Sequence, residues 1–322
     1  MNCAGLAFDF ETYHSKIRDL LELRLAQYLA CDEPVGLYES MRYSVLSGGK
    51  RIRAVLCLAS AQAALDYFED KTVSNAWELA LPCACAIELI HAMSLIHDDL
   101  PCMDDDDFRR GKPSNHKVFG EAMALLAGDA LLVYAFELLL KESSEKIASR
   151  NLLRVSCDLA QATGAKGMVG GQVSDMAVTG LSPRNEKTDQ AETSEALLSN
   201  IHRRKTGALI RFSVSSGAAL MGAPESLLIK LAEFGDLLGL SFQIADDLLD
   251  VTGDIKTLGK TPGKDEKAGK LTWVSVYGIE NARLKLQELE ERGNSILIES
   301  GLAQDKLAPL AALLKYAIHR SN

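Results

Sequence analysis

Trp77-Glu-Leu-Ala-Leu-Pro-Cys-Ala-Cys-Ala-Ile-Glu-Leu-Ile-His-Ala-Met-Ser-Leu-Ile-His97 carries apolar residues on nearly every side of a helix. A helix of that kind needs neighbours all round it and belongs at the centre of a bundle. Pro82 either kinks it or moves its start one turn along. Outward from this segment, Leu20–Ala30, Ala54–Tyr67, Gly120–Lys141 and Ala148–Thr163 repeat apolar residues at three- and four-residue spacing. No alternating run of Val, Ile, Thr and aromatic residues marks a strand. Thr179–Ser194, rich in Pro, Asn, Lys, Asp and Thr, reads as a surface loop, and no repeat is visible. Residues 1–322 are therefore read as one large all-α domain.

Composition narrows the function classes. Of 322 residues, 47% are hydrophobic and 25% charged, which excludes a disordered chain. Lys plus Arg number 35 against 44 Asp plus Glu, a net charge of −9 that argues against nucleic acid as a partner. No run reaches the roughly 20 uninterrupted apolar residues of a membrane span. Met1–Tyr13 shows neither a secretory signal nor an Arg-rich leader. A cytoplasmic location is expected, or the plastid stroma if a transit peptide has been removed. The seven cysteines mostly sit in apolar stretches and read as buried thiols in a reducing compartment.

Two acidic clusters carry the chemistry. Asp98-Asp99-Leu-Pro-Cys-Met-Asp104-Asp-Asp-Asp107 puts six carboxylates within ten residues, directly after the apolar helix. Helical spacing would set Asp98 over Cys102, so the chain must bend at Pro101 to bring Asp104 alongside. A charge run is usually a solvated turn. This one abuts a buried helix, where carboxylates repel unless a hard cation such as Mg²⁺ joins them. Asp246-Asp247-Leu-Leu-Asp250, about 150 residues later, again follows an apolar stretch, and its three carboxylates can share one helical face. Together the clusters suggest a multi-metal site between facing helices. They hold nine aspartates, equal to the net charge, so the remainder of the chain is formally balanced.

Basic residues offer an anion site. Ser47-Gly-Gly-Lys-Arg-Ile-Arg53 reads as a break before a helix, with glycines for close backbone approach and cations near helix N–H groups. Arg109-Arg110 either pairs with the first aspartates or grips phosphate oxygens. Lys205-Thr206-Gly207, Lys260 and Lys270 are further candidates, the last two flanking a Gly/Lys-rich loop.

These motifs together resemble the ordered signature of the trans-prenyltransferases, the chain-elongating isoprenyl diphosphate synthases. The match runs through Gly49-Lys50-x-x-Arg53, Asp98-Asp99-x4-Asp104, Arg109-Arg110-Gly111, Lys205-Thr206-Gly207 and Phe242-Gln243-x-x-Asp246-Asp247-x-x-Asp250. Leu126-Ala-Gly-Asp and Met168-Val-Gly-Gly-Gln extend it over roughly residues 8 to 320. Ala54 and Val274 depart from it, standing at helix starts where a proline is usual.

The resemblance implies an all-helical bundle of the isoprenoid synthase type with a central cavity. It implies an allylic diphosphate (dimethylallyl, geranyl or farnesyl) held through three Mg²⁺ ions, with Mn²⁺ as a substitute. The implied ligands are Asp98, Asp99, Asp104, Asp246, Asp247 and Asp250. Arg109, Lys205 and Lys260 would add positive charge around the leaving group, with Lys270 near them. Isopentenyl diphosphate would meet Gly49, Lys50, Arg53, His91 and Arg110. Thr206 and Gln243 would stabilise the allylic cation, which the isopentenyl double bond attacks before a proton is lost. A homodimer is implied by the family alone.

Product length turns on the residues four and five before the first aspartate, Ser94 and Met93. Neither is the aromatic that closes the pocket of short-chain farnesyl synthases. Geranylgeranyl diphosphate (C20) is the expected product, with farnesyl diphosphate (C15) the alternative. A class I terpene cyclase fits less well, because its second metal motif mixes Asn, Ser or Thr with Glu. A non-catalytic regulatory subunit would be expected to lose one aspartate cluster, and both are intact.

Overall fold

The computed structural model describes residues 8–178, 194–252 and 271–319. Thr179–Thr193 of the expected loop, Lys260 and Lys270 lie outside the described residues. The described chain is helical apart from one two-residue strand pair. In order, α1 spans Phe10–Tyr28, α2 Val35–Val45, α3 Ile52–Ala63 and α4 Trp77–Asp98. Helices α5 (Asn115–Phe119), α6 (Glu121–Ser143), α7 (Ser149–Thr163) and α8 (Met168–Val178) follow. Then come α9 (Ser194–Ile201), a π-helical turn (His202–Gly207), α10 (Ala208–Leu220) and α11 (Glu225–Thr252). Helices α12 (Trp273–Tyr277), α13 (Ile279–Glu299) and α14 (Gln304–His319) close the fold.

Helix α4 is the hub that its all-round apolarity requires. Every residue from Ala80 to Ile90 is buried. It packs on α6 and α3, while α10 bridges α3, α7 and α11. Pro82 leaves its start at Trp77 rather than a turn later. Leu56, Ile87, Ile90 and Phe234 belong to one contiguous buried cluster, each such side chain contributing about 2 kcal/mol. Helix α1 begins ten residues before its apolar repeat, because Asp9 caps it by accepting from the Thr12 N–H at 3.1 Å.

Two further expectations are corrected. Phe108–Arg109 and Lys112–Pro113 pair antiparallel, pinned by Arg110 and Gly111 at φ 52° and 74°. Positive φ at both central residues is the hairpin turn that matches strand twist, and two-residue rungs are too short to show alternation. Cys57, Cys83 and Cys85 are buried, whereas Cys31, Cys102 and Cys157 are exposed, the last two in the aspartate loop and on α7. Helices α4 and α6 are long and apolar enough to cross a membrane by length and composition. The bundle covers α4, while α6 leaves Leu125, Leu126, Val133 and Leu140 exposed.

Candidate active site

The first aspartate cluster forms where α4 stops. The helix ends at Asp98, and the Asp104 N–H turns back to donate to the Asp98 carbonyl at 2.9 Å. Met103 and Asp105 both donate to the Leu100 carbonyl, and Asp105 takes φ 49°. This is the bend that the sequence demands after Pro101, and it sets Asp104 beside Asp98. Burial pushes the Asp98 carboxyl up to about 6; Lys205 opposes the rise, and Asp104 and Asp99 add to it. Asp99 is buried and accepts from the Arg109 Nε at 3.0 Å, and Arg109 also reaches Asp106 at 3.3 Å. Of the two readings of Arg109, the structure holds the carboxylate pair.

The second cluster is less symmetrical than expected. Asp247 is buried with both oxygens bonded, to Gln243 Nε2 at 2.9 Å and to the Trp273 N–H at 2.6 Å. Asp246 is exposed and Asp250 half-buried, so the three carboxylates do not present one equivalent face. The helix packs Asp247 towards α12, where unsatisfied backbone N–H groups need an acceptor. Thr206 Oγ1 donates to Gln243 Oε1 at 3.1 Å, completing a chain of hydrogen bonds from the π-helical turn to α12. Lys205 pairs with Asp175 at 2.6 Å, a residue marked in the sequence only by its place four residues after Gly171. Among the described residues, no three acidic, histidine or cysteine side chains converge as a metal-binding group.

The Ser47–Arg53 break behaves as read, with one exception. Gly49, at φ 139°, lies against Arg110: a Cβ there would be 2.9 Å from the guanidinium carbon. Arg110 bonds the Gly48 carbonyl. The Lys50 carbonyl accepts from His14, and its ammonium sits 5.7 Å from the Tyr316 ring centre. The exception is Arg51, which turns into the core and pairs with Glu88 instead of facing an anion. Arg53 Nη1 lies 3.4 Å from His91 Nε2. Burial first, then Arg53 and Arg110, hold His91 well below the usual histidine range, so it is neutral at pH 7.

Below Asp98 lies a cavity of about 350 Å³. Asp98, Lys205, Thr206, Arg53 and His91 form its polar wall. Met93, Ser94 and His97 of α4, Met168 and Met176 of α8 and Leu209 line the remainder. Ser94 Oγ donates to the His91 carbonyl at 2.9 Å, which satisfies it internally. A narrow cleft of about 30 Å³ between Ser47, His91, Asp99, Arg109 and Arg110 joins the two basic segments. Gly49, Lys50, Arg53, His91 and Arg110 thus gather near the first aspartates, and Lys205, Thr206, Gln243 and Asp247 form a connected wall. Helix α8 supplies lining that sequence reading did not assign, although Met168-Val-Gly-Gly-Gln had stood out.

The sequence pattern of the Polyprenyl synthetase family matches residues 34–296. A dimethylallyltranstransferase from Fischerella ambigua is 44% identical over 98% of this chain and 85% of its own. Geranylgeranyl pyrophosphate synthase 12, chloroplastic, from Arabidopsis thaliana is 42% identical, covering 100% of this chain and 84% of its own. A heterodimeric geranylgeranyl pyrophosphate synthase large subunit from that plant is 43% identical over 98% of this chain and 81% of its own. The apo crystal structure of an FPP/GFPP synthase from Zymomonas mobilis superposes with a TM-score of 0.79 at 34% identity, covering 96% and 98% of the two chains. With a full-length helical match and family motifs at one cavity, the chain belongs to the polyprenyl synthetase family.

Proposed function

We propose that the protein is a prenyltransferase that elongates an allylic diphosphate with isopentenyl diphosphate and releases geranylgeranyl diphosphate. The observation that carries this reading is the 350 Å³ cavity, polar at Asp98 and Lys205 and floored by Met93 and Ser94 rather than an aromatic ring. Relatives named geranylgeranyl pyrophosphate synthases support the C20 length. A C15 product would need a bulkier floor.

The donor set suits Mg²⁺. Buried carboxylates beside one another, with Asp98 raised to about 6, are relieved by a hard oxygen-seeking cation. Asp98, Asp99 and Asp104 would hold it from one side and Asp246 and Asp250 from the other, while Asp247 orients Gln243. When bound, Mg²⁺ neutralises charge developing on the departing diphosphate. Lys205 and Arg109 add fixed positive charge there, and Lys260 and Lys270 are assigned the same role. Gly49, Lys50, Arg53 and Arg110 grip the second diphosphate, and neutral His91 accepts or donates a hydrogen bond without adding charge. Thr206 spends its proton on Gln243, which leaves its oxygen lone pairs to face the allylic cation. Met93, Met168, Met176 and Leu209 keep out water that would quench that cation.

The deciding experiment incubates labelled isopentenyl diphosphate with each allylic starter and Mg²⁺, then chromatographs the dephosphorylated products. C20 is expected; a wild type that stops at C15 overturns the length assignment. Ser94→Tyr and Met93→Tyr are each expected to move the main product from C20 to C15, read in the same assay. Gly171→Ala tests the wall. A Cβ there would overlap the Lys205 backbone nitrogen. The displaced π-helical turn is expected to lower kcat/KM about 100-fold.

Residues 1–322 are proposed to act as one domain, consistent with one contiguous buried cluster among the described residues. The exposed Leu125, Leu126, Val133 and Leu140 of α6 support a homodimer through that face, checked by light scattering of the wild type against Val133→Glu. The chloroplastic relatives favour the plastid stroma over the cytoplasm.

A further inference from the structure

A larger cavity of about 470 Å³ shares a wall with the active site. That wall is the π-helical turn: Lys205 and Thr206 line the first cavity, whereas the preceding Arg203 and Arg204 line this one. Its floor is the outer side of α10, and its banks are α7 and α11. Lys166, Arg203 and Arg204 mark one end. The middle sets Phe212, Leu228 and Ile229, the last 58% exposed, beside Gln161, Ser215, Asp158 and the Arg211–Asp236 pair. The far end is closed by the Arg154–Glu225 ion pair at 2.6 Å. From Arg204 to Ala219 the helix rise gives a length of about 20 Å.

Charge in this groove is unbalanced within an acidic chain. Five cations line it against three carboxylates. Those carboxylates are already engaged by arginines: Glu225 and Asp158 by Arg154, and Asp236 by Arg211 at 2.8 Å. Among the described residues, Lys166, Arg203 and Arg204 form no ion pair within 4 Å, although Arg203 attracts Asp236 at longer range, and all three cluster at the end nearest the active site. A cationic head pocket continuing along Phe212, Leu228 and Ile229, past carboxylates that arginines already neutralise, matches an anion with a single long tail.

We propose that this groove is a second, metal-independent site for a single-chain organic diphosphate. Its head would meet Lys166, Arg203 and Arg204, and its tail would lie along Phe212 towards Leu228. On the function proposed above, the occupant is the class of compound that the enzyme itself produces. The wall is tightly held. A Cβ on Gly239 would be 2.8 Å from the Gly207 Cα, and Gly171 lies against the Lys205 backbone. A ligand that draws in Arg203 and Arg204 therefore shifts Lys205 and Thr206, and product inhibits without competing for the allylic site.

Equilibrium dialysis of labelled geranylgeranyl diphosphate in excess EDTA tests this, because the active site then lacks its cation while the groove keeps its own. One molecule bound per chain is expected for the wild type, and affinity about tenfold weaker or worse for Lys166→Gln/Arg203→Gln. Initial turnover of that variant stays at the wild-type level, and its product inhibition weakens in parallel. Ser94→Tyr, which fills the first cavity, retains the EDTA binding. Inorganic diphosphate displaces the label only at much higher concentration, since it lacks the tail. No binding in EDTA, binding indifferent to Lys166→Gln/Arg203→Gln, loss in Ser94→Tyr, or equal potency of inorganic diphosphate each overturns the proposal. Chain elongation with Mg²⁺ is scored separately, so its failure would strike the proposed activity and leave the EDTA result standing.

Discussion

Asp98→Ala is expected to lower kcat by about three orders of magnitude or more, roughly 4 kcal/mol of transition-state stabilisation. Asp246→Ala should come close to it. Asp98 stands at the meeting point of the cavity and both charge systems, with Asp104 folded back beside it and Lys205 facing it. Its removal takes away a proposed cation ligand and leaves Lys205 to Asp175 and, at longer range, Asp104. Asp99→Ala is a less clean experiment. It leaves the Arg109 guanidinium with Asp106 as its remaining ion-pair partner, so a rate loss there mixes ligand removal with misplacement of the hairpin. Steady-state kcat with saturating Mg²⁺, alongside circular dichroism to confirm folding, separates the cases. Near-normal turnover of both Asp98→Ala and Asp246→Ala would sink the assignment of the aspartates to chemistry.

The fold was legible because helices announce themselves by period. Trp77–His97 is apolar all round and proved to be the buried hub, and Ala148–Thr163 matched α7 to within a residue. The first half of α1 was not legible, since Asp9 and a polar surface carry no apolar repeat. The hairpin at Phe108–Pro113 escaped because two residues cannot alternate, yet it aims Arg109 at Asp99 and Arg110 at Gly48. The site was visible in its charged residues and hidden in their pairings. Three aspartates spaced along α11 look alike in sequence; only the packing of α12 reveals that Asp247 serves the Trp273 N–H and Gln243. Asp175 and the α8 lining were hidden for the same reason. Their roles depend on which helix lies across from them, and a period does not encode that.

Arg51, the cation of its turn that the resemblance leaves out of the isopentenyl diphosphate contacts, supports the second large prediction. Glu88→Ala is expected to reduce unfolding free energy by about 3 kcal/mol, the scale for breaking one partner out of a buried ion pair. Both side chains are only 2% exposed, with Arg51 Nη1 and Glu88 Oε2 3.2 Å apart. Glu88 also accepts from the Ala54 N–H in the first turn of α3, so its loss leaves a charge and a backbone donor unsatisfied together. Glu22, bonded to the Arg51 Nε at 2.8 Å, limits the damage. The urea midpoint should fall with an unchanged slope. Arg51→Met/Glu88→Leu should cost less than the two single changes added, because it removes both charges at once. The consequence reaches the active site through the backbone. Arg51 at φ 52° is the kink that sends Lys50 towards Tyr316 and Arg53 towards His91. Glu88→Ala should therefore raise KM for isopentenyl diphosphate while kcat at saturation changes little, since the aspartates and Lys205 are untouched. An unaltered midpoint would mean that Glu22 alone holds Arg51, and that the buried pair specifies the turn without stabilising it.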